Sequence, residues 1–280
     1  MITTDTHTHT NFSTDSDAFA EQMIDTAIDK GLKIYTVTDH MDYDNHHYQV
    51  PSAITEGIKK EDFILDTPSY FDVLSSLKNE YQSKIDLRIG VEYGLQPHLN
   101  DVLSDYASKY AFDMIIGSVH EVNGVDPYYD EFLADKSALE AYHLYFRTEA
   151  ELSKSFDAFD TFGHIDYGLR YHHDKLSNFK FSYSDFYDEL DELLKSLITK
   201  GKGVELNTNT FTYFDKGHSP MIEILKRYRE LGGEIVTVGS DAHKCENIAK
   251  HFDIAQDLLT SLNYKYIAAY KNRQPEFIKI

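Results

Sequence analysis

His7 and His9 in Thr6-His7-Thr8-His9, and Asp241 and His243 near the other end of the chain, each form a pair two residues apart after a short apolar run. On an extended strand such residues project to the same face, about 6.5 Å apart, so each pair can aim two ligand atoms in one direction. An isolated His-x-His is equally at home as a solvated strand end. The same position after other apolar runs, however, carries Asp39-His40, Glu92, His120 and His164, so that six of the 14 histidines stand at such ends. Imidazoles and carboxylates without a thiol form an N/O donor set suited to Zn, Mn or Fe.

The elements that must position these side chains alternate in type. Short apolar runs at 2–6, 33–38, 86–92, 112–118, 161–164, 203–207 and 234–240 are expected as strands buried on both faces, with a further one near 264–269. Between them lie helical patterns. In 185–200, Phe186, Leu190, Leu193, Leu194, Leu197 and Ile198 share one stripe, and a second helix opens at Ser219-Pro220 and stops at Gly232-Gly233. About seven β/α repeats predict a parallel sheet. Donors at the strand ends favour a closed barrel with its site on the C-terminal face over an open sheet. The 280 residues are expected to form one domain, with a loop or helical insertion at about 41–83 and an irregular loop at 121–136.

Composition narrows the function classes. With 27 Lys+Arg against 47 Asp+Glu the formal net charge is −20, which disfavours nucleic acid as a partner. Hydrophobic residues at 41% suffice for a core. No apolar run approaches the ~20 residues that span a bilayer, and the N-terminus lacks a signal-like pattern. A cytoplasmic protein is expected, monomeric or a small homo-oligomer. Cys245, the only cysteine, excludes an intrachain disulfide and a thiolate cluster.

Six ordered motifs, Thr6-His7-Thr8-His9, Thr38-Asp39-His40, Gly90-Val91-Glu92-Tyr93-Gly94, Gly117-Ser118-Val119-His120, Gly163-His164-Ile165-Asp166 and Gly239-Ser240-Asp241-Ala242-His243, resemble the PHP (polymerase and histidinol phosphatase) superfamily. The resemblance runs the length of the chain and is greatest to the monofunctional histidinol-phosphate phosphatases. It implies a distorted seven-stranded TIM-like (β/α)7 barrel holding three divalent metal ions. It implies further that His7, His9, Glu92 and Asp241 hold one ion, that Glu92 bridges to a second held by His120 and His164, and that His40, His243 and a loop residue hold the third. That residue is expected to be Asp15, with Asp17 competing; the alternative role for Asp17 is an N-cap.

Three divalent ions bring six positive charges and Asp15, Glu92 and Asp241 remove three, leaving an anion trap. The implied reaction is in-line attack of a metal-bridging hydroxide on a phosphate monoester, with Glu92, Asp241 and His243 at the reacting centre. Arg170, six residues after His164, is expected to clamp the phosphate or else to pair with Asp166 or Asp174; Lys216 or His218 could add a second contact. Asp42, Asp44 and Tyr129, with Tyr93 and the Asp126-Pro127-Tyr128-Tyr129 loop, could receive an amine and an imidazole, groups that histidinol phosphate carries. Asp5, Asp39 and Asp166 could orient ligand imidazoles, or serve as ordinary ion pairs and caps. The other readings are a PHP phosphoesterase for another small phosphate or a nucleotide, and a non-catalytic metal-binding module.

Overall fold

The computed structural model describes residues 1–43, 60–171, 179–215 and 217–280. In chain order the elements are β1 (Thr4–Asp5), α1 (Ala20–Asp29), β2 (Ile34–Val37), β3 (His40–Met41), α2 (Thr67–Tyr81), β4 (Asp86–Gly94), α3 (Asn100–Lys109), β5 (Met114–Ser118), α4 (Ala138–Ser155) and β6 (Thr161–Phe162). There follow α5 (Tyr187–Thr199), β7 (Gly203–Asn207), α6 (Thr210–Tyr213), α7 (Pro220–Glu230), β8 (Val236–Gly239), α8 (Phe252–Ser261), β9 (Tyr266–Lys271) and β10 (Gln274–Lys279).

Strands pair in parallel in the order β1-β2-β4-β5-β6-β7-β8, and β3 resumes the line of β2 along β4, setting His40 opposite Glu92. The sheet then curls back on itself. Thr6 N donates to Val238 O (3.1 Å), Asp241 N to His7 O (2.8 Å) and His9 N to Ala242 O (2.9 Å), so the seven-stranded barrel closes where the two histidine-bearing pairs meet. Strands β5, β7 and β8 are buried throughout, as the apolar runs predict for strands covered on both sides.

The helices follow their stripes. In α5, Leu190, Leu193, Leu194 and Leu197 are buried against the barrel, and its first expected turn is 3-10. The Ser219 hydroxyl accepts from Met221 N at 3.2 Å, with Pro220 in the first turn of α7, and the chain leaves that helix through Gly232 at φ +93°. The N-cap of α1 is Phe19, so Asp17 does not cap it.

The last expected strand forms as β9 and is one arm of a hairpin. β9 and β10 pair antiparallel and cover the N-terminal end of the barrel, where Tyr270 packs on Met114 and Ile116. Buried Arg88 donates to Tyr270 O at 2.9 Å, and Arg273 pairs with Asp160. This end is closed by apolar and ionic contacts, which leaves the C-terminal face for chemistry. Among the described residues no helix is long and apolar enough to cross a membrane.

Candidate metal centre and active site

The expected ligands arrive at the C-terminal ends of the strands or in the loops beyond them: His7, His9 and Asp15 after β1, His40 in β3, Glu92 in β4, His120 after β5, His164 after β6, and Asp241 and His243 after β8. Glu92, in the last third of β4, is fully buried and sits at the centre. One carboxylate oxygen lies 3.2 Å from His120 Nε2 and 2.9 Å from His164 Nε2. The other lies 3.1 Å from His7 Nε2, 3.5 Å from His9 Nε2 and 3.0 Å from His40 Nδ1. The two oxygens thus face two separate groups of imidazoles, the geometry a bridging carboxylate requires.

Asp241 completes the first group, its Oδ1 lying 3.2 Å from His9 Nε2 and 3.6 Å from His7 Nε2. Its φ of +55° places it in the left-handed region, where Asp is tolerated better than most residues. At the rim, Asp15 Oδ2 lies 3.0 Å from His243 Nε2 and 3.7 Å from His40 Nε2. The His9 ring stacks on both His40 and His243, with centroids 4.2 and 4.1 Å away. Three donor triads result: His7, His9 and Asp241; His40, Glu92 and His120; and His9, His40 and His243, each with its ligand atoms within 4.8 Å of one another.

These donors fit divalent cations. Glu92 Oε2, His40 Nδ1 and His243 Nε2 are buried without a hydrogen-bond partner, although other donors of the cluster lie about them. Orphaned buried polar atoms are costly unless something else satisfies them. Burial would raise the Glu92 and Asp241 carboxyls, but the surrounding imidazoles outweigh it and hold both well below the usual carboxylate range. Burial and the neighbouring His243 and His40 push His9 down to about 3, leaving its lone pair free. Against the pull of burial, Asp42 and Glu92 push His120 up to about 10, and carboxylates likewise raise His7 and His40. A divalent ion taking the same nitrogens displaces those protons, so binding weakens as pH falls.

Above the cluster opens a cavity of about 450 Å³ whose lining includes Asp15, His40, His120, His164, Asp241 and His243. Arg170 is the one arginine in its described lining, which holds no lysine. It is 1% exposed, donates through Nη2 to Asp166 at 2.9 Å, and holds Nη1 at 3.9 Å from Asp241 Oδ2. One wall is tyrosine. Tyr167 packs 5.0 Å from His164, Tyr171 packs on Tyr167 at 5.2 Å, and Tyr128 packs on Tyr171 at 5.1 Å, leading from the ligands to the mouth. Asp126 accepts from Tyr167 Oη at 3.0 Å and from Tyr128 N at 2.7 Å.

The PHP domain matches residues 5–209, which span five of the six motifs and most of these donors. The chain belongs to the PHP domain family. The probable histidinol-phosphatase of Clostridium acetobutylicum is 33% identical over 93% of this chain and 94% of its own length. The histidinol-phosphatase of Lactococcus lactis is 28% identical over 95% of this chain and 93% of its own. A crystal structure of the Lactococcus lactis histidinol phosphate phosphatase, in complex with zinc, L-histidinol and phosphate, is 27% identical, covers 98% of both chains and superposes with a TM-score of 0.87. The putative histidinol phosphatase of Listeria monocytogenes, 19% identical with 89% of this chain and 98% of its own covered, shares the fold with a TM-score of 0.74.

The other expected residues divide between the cavity lining and positions outside it. Asp42, expected at the substrate amine, is buried and accepts from His120 Nδ1 at 3.2 Å; it orients that ring while also lining the cavity. Among the described residues, Asp5, Asp39 and Asp166 take partners other than imidazole rings. Asp5 accepts from Ser240 N (2.9 Å) and Oγ (2.6 Å), Asp39 from Thr10 N (2.7 Å) and Ser13 Oγ, and Asp166 from Arg170. They tie down the loops that carry the ligands. Tyr93 is buried beside Tyr106, outside the cavity lining, whereas Tyr129 does line it. His218 borders a neighbouring cavity, and Asp44, Asp174 and Lys216 fall outside the described residues. Tyr167 and Tyr171 were not singled out from the sequence. Their flanking of Arg170 four residues apart, one helical turn, was the available sign.

Proposed function

We propose that this PHP domain is a histidinol-phosphate phosphatase of histidine biosynthesis, hydrolysing L-histidinol phosphate to L-histidinol and phosphate. The observation that carries this reading is the buried histidine and carboxylate cluster facing one cavity with a single guanidinium beside it. Relatives named for this activity align over nearly the whole chain, and one of them has been crystallised with zinc, L-histidinol and phosphate.

His7, His9, Glu92 and Asp241 would hold one ion, Glu92, His120 and His164 a second, and Asp15, His40 and His243 a third, with Zn, Mn or Fe compatible with the donor set. When bound, such ions supply Lewis acidity toward the phosphoryl oxygens and an activated water near neutral pH. The protein provides the rest. Glu92, fully buried, and Asp241, partly buried, both ionised, place negative charge where cations must sit. Arg170, its plane fixed by Asp166, offers remaining N–H groups to the phosphoryl oxygens. Phosphate held between the cluster and Arg170 leaves the organic half of the monoester to lie along the Tyr167, Tyr171 and Tyr128 rings, with Tyr129 alongside. Asp126, at the foot of that wall, adds negative charge toward an ammonium group. A volume near the lower end of small-ligand pockets suits a small monoester better than a polymer.

The test is a substrate panel. L-Histidinol phosphate is expected to be hydrolysed with higher kcat/KM than nucleotides, sugar phosphates or p-nitrophenyl phosphate, with loss of activity on chelation and recovery on adding Zn or Mn. A nucleotide or sugar phosphate turned over at least as efficiently would replace the substrate assignment, and full activity after exhaustive removal of metal would overturn the metal-dependent reading.

A further inference from the structure

Strand β7 contributes none of the nine side chains placed at the metal centre, yet its inward face is polar. Glu205 and Asn207, two residues apart and both fully buried, point to the same side of β7. Glu205 Oε1 lies 2.6 Å from His7 Nδ1. Its Oε2 accepts from the backbone N–H of His164 at 2.9 Å and from Asn207 Nδ2 at 3.2 Å. The Asn207 amide also reaches Asp241 Oδ2 at 3.2 Å.

We propose that Glu205 and Asn207 are the positioning pair of the metal centre, a single polar unit that fixes ligands from three different strands. A carboxylate on Nδ1 makes that nitrogen the donor, so the Nε2 lone pair of His7 faces Glu92 and Asp241. The same carboxylate fixes the turn that launches His164, and Asn207 restrains the Asp241 oxygen opposite the one that faces His7 and His9. Carboxylates behind metal-bound imidazoles orient the ring and raise its basicity, and removing them typically costs 10- to 100-fold in metal affinity.

The adjoining strand is shaped for this contact. A Cβ on Gly239 of β8 would fall 2.3 Å from His7 Cβ and 2.5 Å from Glu205 Oε1, so any larger residue there would drive the pair apart. A glutamine at 205 cannot do the same work. Its single amide oxygen can accept from His7 or from the His164 N–H, and its NH2 would face a donor in either orientation.

The proposal rests on the metal-centre reading and is tested on metal binding, without any substrate. Metal-free wild type, Glu205→Gln and Asn207→Leu are titrated with Zn²⁺ against a competing chelating indicator, with near-UV circular dichroism recorded for each. Glu205→Gln is expected to raise the free Zn²⁺ at half-occupancy about 10- to 100-fold with a wild-type spectrum. Asn207→Leu is expected to raise it about threefold to tenfold, and it carries the test should Glu205→Gln not fold. Folded variants whose Zn²⁺ curves superpose on the wild type would overturn the positioning role while leaving the metal centre standing. A wild type that binds no Zn²⁺ would overturn both.

Discussion

Glu92→Gln is expected to lower kcat about 10²- to 10⁴-fold, and to do far more damage than Asp15→Asn. Glu92 is fully buried and its two oxygens address five imidazoles. An amide keeps the shape but not the charge, and it turns an NH2 donor toward nitrogens that must present lone pairs. Breaking one partner out of a buried charge cluster costs about 3–5 kcal/mol, which converts to that range of rate. Asp15, by contrast, has a side chain 56% exposed and, among the described residues, pairs with His243 and His40. Water can take over part of its coordination, so Asp15→Asn is expected to cost about tenfold, within the range seen when a peripheral support is removed. The comparison is made by steady-state kinetics at matched metal content. If Asp15→Asn proved the more damaging, the bridging assignment of Glu92 would be wrong.

Arg170→Ala should lower kcat/KM for every phosphate monoester, by about 10- to 150-fold, because the guanidinium meets the group common to all of them. That is the effect of losing a charge-assisted hydrogen bond of about 1.5–3 kcal/mol. Changes along the tyrosine wall should discriminate between substrates. Tyr128 is 45% exposed at the mouth and packs on Tyr171, so Tyr128→Ala can remove an aromatic contact without emptying the core. It is expected to cost histidinol phosphate about fivefold in kcat/KM, the worth of about 1 kcal/mol of aromatic packing, and to leave p-nitrophenyl phosphate within twofold. Asp42→Asn should depress both substrates alike, since Asp42 acts on the His120 ring. An Arg170→Ala enzyme with unchanged hydrolysis of p-nitrophenyl phosphate would remove that residue from the phosphate site.

The clustering of these donors was legible in the sequence because parallel barrels gather their strand ends on one face. Reading the residue at the end of each apolar run therefore found His7, His9, His40, Glu92, His120, His164, Asp241 and His243 without any knowledge of contacts. Asp15 is a loop residue, and only its distance from His243 and His40 in three dimensions separates it from Asp17. Supporting residues were less legible. Asp5 and Asp39 stand beside ligands in sequence yet bond to loop backbone and hydroxyls, because the chain turns as each strand ends and sequence neighbours diverge. Glu205 stands 198 residues from His7. Its sign was a carboxylate at an interior position of a strand buried on both faces, a place where an ionised group needs a partner. The second arm of the terminal hairpin escaped for another reason. β10 is half-exposed and contains Pro275, so it lacks the apolar run that marked the barrel strands.

The most direct test is an anomalous-diffraction crystal structure of the Zn-loaded protein with inorganic phosphate. The expected result is three anomalous peaks inside the cluster at about 2.0–2.3 Å from their histidine and carboxylate donors, with Glu92 shared between two of them and phosphate between the ions and Arg170. Zinc lodged elsewhere with this cluster unliganded, or phosphate bound out of reach of both the ions and Arg170, would contradict it.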